Sequence, residues 1–405
     1  MARTLAELPK GARITDYISL GVLAKTFPRS RIDEVLTTTD RRSRRQRELP
    51  AHVVVYYVIA LALYMQASYR EVLRCLLEGL QWMARPGTHL KVTGKSGISQ
   101  ARTRLGWAPL KELSDQLVGP IAGKTTRGAW YRDWRVVTLD GTTFDVADTR
   151  ENAQTFGRPG TGRGTSAYPQ LRIVSLVENG THVLFGTTLG ALREGETTLA
   201  RHVLPALRPG MLCLADRLFF GWALWRAAHA TGADLVWRIK QKLRLPRETT
   251  LPDGSYLSTI YPSSRDRRQW TNGITVRVID YTLAGISQAE PLYRLVTTIL
   301  NPAVPAAELA ALYHERWEIE TALDELKTHL RGAKVVLRSK TPDLVRQECY
   351  GLLLAHFAIR GLMHEAAVMV DVDPDRLSFI HAVRVIRRKL PLAVAIPPSD
   401  DPRLS

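Results

Sequence analysis

Cysteine is scarce. The 405-residue chain has three, Cys75, Cys213 and Cys349. They are far apart, form no C-x-x-C pair and no zinc spacing, and their odd count excludes a disulfide framework. Each lies in apolar sequence, so the expectation is buried thiols in a reducing compartment. Long apolar runs are missing too. The longest, VVVYYVIALALYM from Val53 to Met65, is too short to span a bilayer and reads as a buried helix. The opening MARTLAELPKGARITDY has no apolar signal-peptide core. The expected setting is cytoplasmic, with no membrane. Acidic residues are the third shortage: 39 Asp and Glu face 56 Lys and Arg, a net charge of +17. The imbalance is uneven, since residues 1–125 hold 20 basic and 10 acidic side chains, +10 of the total. Such an excess points to a polyanion, most simply nucleic acid. HExxH and Ser-His-Asp arrangements are absent, and the histidines are scattered. GRPGTGRGTS (Gly157 to Ser166) has P-loop glycine spacing, but Arg163 and Gly164 replace the phosphate-gripping Lys-Ser/Thr pair and no helix follows. Nucleotide hydrolysis is thereby excluded, and the stretch reads as a flexible basic loop.

The length suits two to three domains. Residues 1–125 read as helical. Five arginines fall between 41 and 47, and Pro50 opens an apolar helix. SYREVLRCLLEGLQWM sets Val72, Leu73, Leu76 and Leu80 on one face, and Ser99 is placed as the N-cap of a short helix bearing Arg102 and Arg104. Short Arg-rich helices joined by tight turns suit a helix-turn-helix-like DNA reader; a helical bundle with a solvated basic face fits equally well. From about residue 130 strands dominate: WRVVTLDG, a hairpin in LRIVSLVENGTHVLFGTTL turning at ENG, then MLCLADR and ADLVWRI separated by helices. Three meander strands followed by alternating helix and strand predict a mixed α/β sheet across 126–385. A β-rich insertion is expected at about 240–300, and a partly disordered tail at 386–405.

Asp140 is expected at the end of one buried strand and Asp216 at the end of another. Carboxylates at the ends of neighbouring strands can share a cation, and oxygen donors without a soft ligand suit Mg²⁺ or Mn²⁺. Each alone also fits a strand-end turn Asp bonding its own backbone. Asp145 is the nearest rival to Asp140, but it is placed beyond the strand, in a loop. The predicted helix YHERWEIETALDELKTHL (Tyr313 to Leu330) adds a third carboxylate. On a wheel of 100° per residue, with Glu320 at the origin, Tyr313, Arg316 and Lys327 fall at about +20°, −40° and −20°. An exposed Arg316–Glu320 pair would explain two of these residues. It would not explain why Tyr and Lys share their stripe.

Y-x2-R-x3-E-x6-K, met here without a gap by Tyr313, Arg316, Glu320 and Lys327, resembles the signature of the insertion sequence 4 family of DDE transposases. TLDGTTFD and LCLADRLFFG resemble its two Asp strands, and ITDYISLGVLAKTFPRSRIDEVLTTTDRRSRRQRELP its N-terminal region. The likeness spans roughly residues 10–385. It implies an RNase H-like catalytic domain at 126–385 with Asp140, Asp216 and Glu320 as metal-binding catalytic triad, and a helical DNA-binding domain at 1–125. It implies two Mg²⁺ ions, replaceable by Mn²⁺. Tyr313, Arg316 and Lys327 would grip DNA, with Arg217, Arg102 and Arg104 as further candidate contacts. Trp237 and Trp270 are candidates to hold a flipped base, although Trp237, inside an apolar strand, fits a core residue better. The implied reaction is cut-and-paste: hydrolysis at the terminal inverted repeats, then attack of the 3′-hydroxyl on double-stranded target DNA, by a homodimer. The rival readings are an inactive transposase-derived repressor and a nuclease without strand transfer.

Overall fold

A computed structural model describes residues 19–45, 49–65, 67–83, 94–161, 164–165, 168–243, 245–283, 290–331 and 336–394. Most of the 386–405 tail and part of the Gly157–Ser166 loop, Arg163 included, lie outside these residues. The chain forms two compact units.

One unit comprises residues 1–118, 325–370 and 376–405. Its elements are α1 (Ser19–Thr26), α2 (Arg29–Thr38), α3 (Ala51–Leu63), α4 (Tyr69–Met83), α5 (Lys95–Leu105), α6 (Ala108–Leu117) and, later in the chain, α13 (Pro342–Met369) and α14 (Phe379–Val394). The apolar run predicted as a buried helix is α3, buried from Val53 to Leu63. It packs on α13, where Gly351 lets the backbones approach: a Cβ there would sit 2.7 Å from the Val58 carbonyl oxygen. By length and composition α13 could cross a membrane, but it is the core helix of this unit, largely buried. The helix expected to start at Ser99 starts at Lys95 instead, and Ser99 lies inside α5.

The other unit covers residues 119–324 and 371–375. In chain order it holds β1 (Trp130–Tyr131), β2 (Trp134–Asp145), α7 (Arg150–Phe156), β3 (Gly160–Thr161), β4 (Gly164–Thr165), β5 (Gln170–Glu178), β6 (Val183–Ala191), α8 (Glu196–Val203), β7 (Met211–Ala215), α9 (Trp222–His229) and β8 (Asp234–Arg238). Then come β9 (Thr249–Thr250), β10 (Tyr256–Ile260), α10 (Ser264–Gln269), β11 (Ile274–Tyr281), β12 (Tyr293–Thr297), α11 (Ala306–His314) and α12 (Glu318–Asp324). Among the described residues, ten strands form one mixed sheet of order β6-β5-β2-β7-β8-β12-β11-β10-β9, with β1 on β2. The meander β2–β5–β6 is antiparallel, while β7 lies parallel to β2 and β8 parallel to β7. The β-rich stretch joins this sheet directly, since β12 pairs antiparallel with β8. On one face, Val136, Leu212, Leu214 and Val236 share a core with Leu309, Ala310, Leu312 and Tyr313 of α11. The alternation of β-branched and other apolar residues along these strands builds that face, because successive side chains point to opposite sides.

Candidate active site

β2 does not end at Asp140 as expected. It continues to Asp145, pairing with β5 as far as Asp145↔Gln170. The neighbour on its other side stops earlier, with Leu139↔Ala215 as the last β2–β7 pair. Asp140 and Asp216 are therefore each one step past the last pair of two adjacent parallel strands, about one strand spacing apart. Asp216 is a strand-end residue as predicted; Asp140 gains the same exposure because its neighbour strand has run out. Alternation puts both on the face of Val136, Leu212 and Leu214. Asp145, five residues on, falls on the opposite face, in a strand rather than the expected loop. Its carboxylate accepts a 2.9 Å hydrogen bond from Gln170 Nε2.

The helical run from residue 306 to 330 is not of uniform pitch. α11 gives way to a 3₁₀ turn at Glu315–Trp317, then α12, then a π-helical turn at Glu325–Leu330. A 3₁₀ turn repeats every three residues, so it brings Arg316 back over Tyr313 more closely than the uniform wheel does. The Arg316 guanidinium carbon is 5.9 Å from the Tyr313 ring centre. Arg316 joins two carboxylates: Nη1 is 3.5 Å from Asp140 Oδ2 and Nη2 is 3.4 Å from Glu320 Oε1. Tyr313 does not reach outward. It is only 5 % exposed, and its hydroxyl donates a long 3.5 Å bond to the carbonyl of Ala215, the residue before Asp216. The outward grip on DNA expected of Tyr313 is corrected to a buried contact that steadies the end of β7. Lys327 lies past the unit boundary, in the π-helical turn, where its carbonyl accepts from Arg331 Nε.

Further groups surround the carboxylates. Arg238, at the end of β8, lies 4.0 Å from Asp216 and 2.6 Å from Glu290, which also pairs with half-exposed Arg217 at 3.1 Å. Burial pushes the Asp140 carboxyl up to about 6; Glu196 and Asp216 add to this, while the Gly141 N–H and Arg316 oppose it. Glu196 is the residue that sequence reading missed. It opens α8 after Gly195, and its side chain is so close to Gly141 that a Cβ there would lie 3.1 Å from it. No spacing links it to Asp140, so only the fold brings the two together.

One other expectation is corrected. Arg102 is no surface contact. It is 2 % exposed, with Nε donating to Gln347 Oε1 at 2.8 Å and Nη2 to Ser339 Oγ at 3.0 Å. The warning lies in the sequence, because Ile98, Ala101, Arg102 and Leu105 fall on one helical stripe. Arg104, on the other side of α5, is exposed. Trp237 is fully buried edge-on against Trp225, with ring centres 5.3 Å apart, and is a core residue. Trp270 is 76 % exposed beside Tyr261.

Residues 17–115 match the family described as insertion element 4 transposase N-terminal, and residues 132–358 match the transposase DDE domain. The chain is 27 % identical over 380 residues to the transposase InsG for insertion sequence element IS4 of Escherichia coli (strain K12), covering 92 % of this chain and 83 % of that protein. It is 24 % identical over 220 residues to the putative transposase InsZ of the same organism, covering 54 % of this chain and 71 % of that protein.

Proposed function

The chain belongs to the insertion element 4 family of DDE transposases, and from that membership we propose that Asp140, Asp216 and Glu320 are the acidic triad of a cut-and-paste reaction at transposon ends. One observation carries the assignment: a single guanidinium, that of Arg316, touches both Asp140 and Glu320, while strand register sets Asp216 beside Asp140. The meander β2–β5–β6 with β7 and β8 parallel to β2 supports an RNase H-like reading of the sheet.

The family works with a divalent metal, and the residues fit one. The donors are all carboxylate oxygens, the set that Mg²⁺ and Mn²⁺ prefer. Asp140 stays above the usual carboxylate range even beside Arg316, so additional positive charge would be favourable there. When bound, two such ions supply activation of the attacking oxygen and stabilisation of the leaving one. Arg316 keeps two of the carboxylates in register between catalytic events. Tyr313 and Arg238 hold the strand ends that carry and flank Asp216. Arg217 is a candidate phosphate contact at the rim, Arg104 one in the helical unit, and Lys327 a positioning residue for the transposon end. Residues 17–115 would read the terminal inverted repeats, with phosphate contacts supplying much of the affinity. The protein would act as a homodimer that bridges two ends on double-stranded DNA.

The test is cleavage of a donor plasmid bearing the element's ends, in Mg²⁺. Asp140→Asn, Asp216→Asn and Glu320→Gln should each lower cutting by at least about a thousandfold, corresponding to ~4 kcal/mol of barrier, while Asp145→Asn should retain it. Cutting by the three variants at wild-type rates would refute the triad. Cutting without joining of the freed 3′-hydroxyl to target DNA would leave a nuclease, and end binding without cutting a repressor.

A further inference from the structure

A second group of ligand-capable side chains lies apart from the triad. His182 comes from the β5–β6 turn, Glu318 from the first residue of α12, and Asp375 from a 3₁₀ turn at Pro374–Arg376. One ligand atom from each lies within 4.8 Å of the others. His182 Nε2 is 3.2 Å from Asp375 Oδ1 and 3.9 Å from Glu318 Oε2. The ring is 4 % exposed, Glu318 is half-buried and Asp375 opens to solvent. The group therefore has a dry floor and a wet mouth.

The turn is built to hold this arrangement. Gly180 at φ 76° and His182 at φ 56° both adopt the left-handed conformation. A Cβ on Gly180 would fall 2.3 Å from the Arg127 carbonyl oxygen, so only glycine fits there. The Gly180 N–H donates to Glu318, and the His182 N–H closes the turn onto the Glu178 carbonyl at 3.0 Å. The turn that carries His182 is thus tied to the Glu318 carboxylate itself, which orients that side chain toward the imidazole.

We propose that His182, Glu318 and Asp375 form a binding site for one Zn²⁺-class divalent ion, with solvent completing the coordination. One imidazole with two carboxylates is a mixed nitrogen–oxygen set, which suits Zn²⁺ better than Mg²⁺. Ligands of a tetrahedral ion at about 2.1 Å stand roughly 3.4 Å from one another. The observed 3.2 and 3.9 Å are within a small side-chain adjustment of that. Glu318 and Glu320 are two residues apart on α12, so they point about 200° apart. An ion held by Glu318 would brace the back of the segment whose other side presents Glu320. Its role is structural, and it does not depend on the cutting reaction.

Calorimetric titration of the chelator-stripped full-length protein with Zn²⁺ tests this, using the Asp140→Asn, Asp216→Asn, Glu320→Gln triple variant to silence the other carboxylates. The expected result is uptake of one equivalent, a rise in melting temperature on loading, and imidazole ligation in X-ray absorption. His182→Ala and Asp375→Asn, each added to that background, should weaken the uptake by at least about tenfold. Asp375 sits at the solvent-facing mouth, so its variant carries the test should His182→Ala misfold. No uptake at micromolar Zn²⁺ would overturn the proposal and leave His182 simply packed beside two carboxylates. Uptake unaffected by both substitutions would overturn it equally, by locating the metal elsewhere.

Discussion

At the scale of a single residue, Asp140 shows what burial does to a carboxylate at the candidate site. Its carboxyl rises from 3.8 to about 6 on folding, chiefly through burial. The folded chain therefore binds this proton more tightly than the unfolded one. Its own contribution to metal-free stability is therefore full below pH ~4 and is lost as pH rises through about 6. Asp140→Asn removes the charge and keeps an oxygen to accept the 2.8 Å bond from the Gly141 N–H. In chelator, the variant should be more stable than the parent at pH 8, on the order of 1–3 kcal/mol, and equal to it near pH 4. Urea denaturation at the two values reads this, and an equal difference at both would rule out the titration as its cause. The same residue shows what was legible in the sequence. Asp140, Asp216 and Glu320 could be singled out because a carboxylate after an apolar strand run, or on the polar stripe of an amphipathic helix, is a local pattern. Glu196 could not, since its closeness to Asp140 comes from α8 packing on β5 and β6, from where its side chain reaches Gly141. Arg102 was legible and misread: the basic charge of the region outweighed its place on the apolar stripe of α5.

At the scale of elements, the strands of the second unit follow their composition closely, and the turn at 179–182 falls where the Asn-Gly pair sets it. The run from 306 to 330 follows its pattern less well. A period of 3.6 describes a uniform helix, whereas the chain passes through a 3₁₀ and a π-helical turn. A period of 3.6 does not encode those changes of pitch. The β-rich stretch extends the sheet through β12, and a buried ion pair fixes its start. Arg277 of β11 is fully buried and donates to Asp253, to Ser255 Oγ at 2.8 Å, and to the carbonyls of Asn301 and Val304 at 3.0 and 2.8 Å. Asp253 also accepts the Ala306 N–H at 2.8 Å, tying the turn to the first residue of α11. Arg277→Met leaves that carboxylate and two carbonyls short of their donor, and should destabilise the chain by about 3 kcal/mol. Asp253→Asn, which retains hydrogen-bonding capacity, should cost less. A denaturation midpoint for Arg277→Met equal to the parent's would mean the pair is dispensable.

For the molecule as a whole, the net charge of +17 is a statement about partners and salt rather than about fold. In the helical unit Arg41, Arg42, Arg44 and Arg104 line a cavity of about 290 Å³. Arg41 donates to the Arg104 carbonyl at 3.3 Å and Arg44 pairs with Asp40 at 3.0 Å. Arg42 and Arg104 are the exposed pair best placed to meet phosphates. Each phosphate neutralised releases counterions, so the logarithm of affinity falls with the logarithm of salt by about 0.9 per contact on duplex DNA. Substituting both residues by Ala in the full-length protein should therefore make that slope shallower by roughly 2. The loss should be alike on end and unrelated duplexes, because phosphates carry no sequence. Arg42→Lys with Arg104→Lys preserves charge and should retain most of the slope. Weaker binding with an unchanged slope would mean that these arginines support the fold of the unit rather than touch DNA. A loss confined to end sequences would make them readers of bases instead, in which case the +17 acts through other residues.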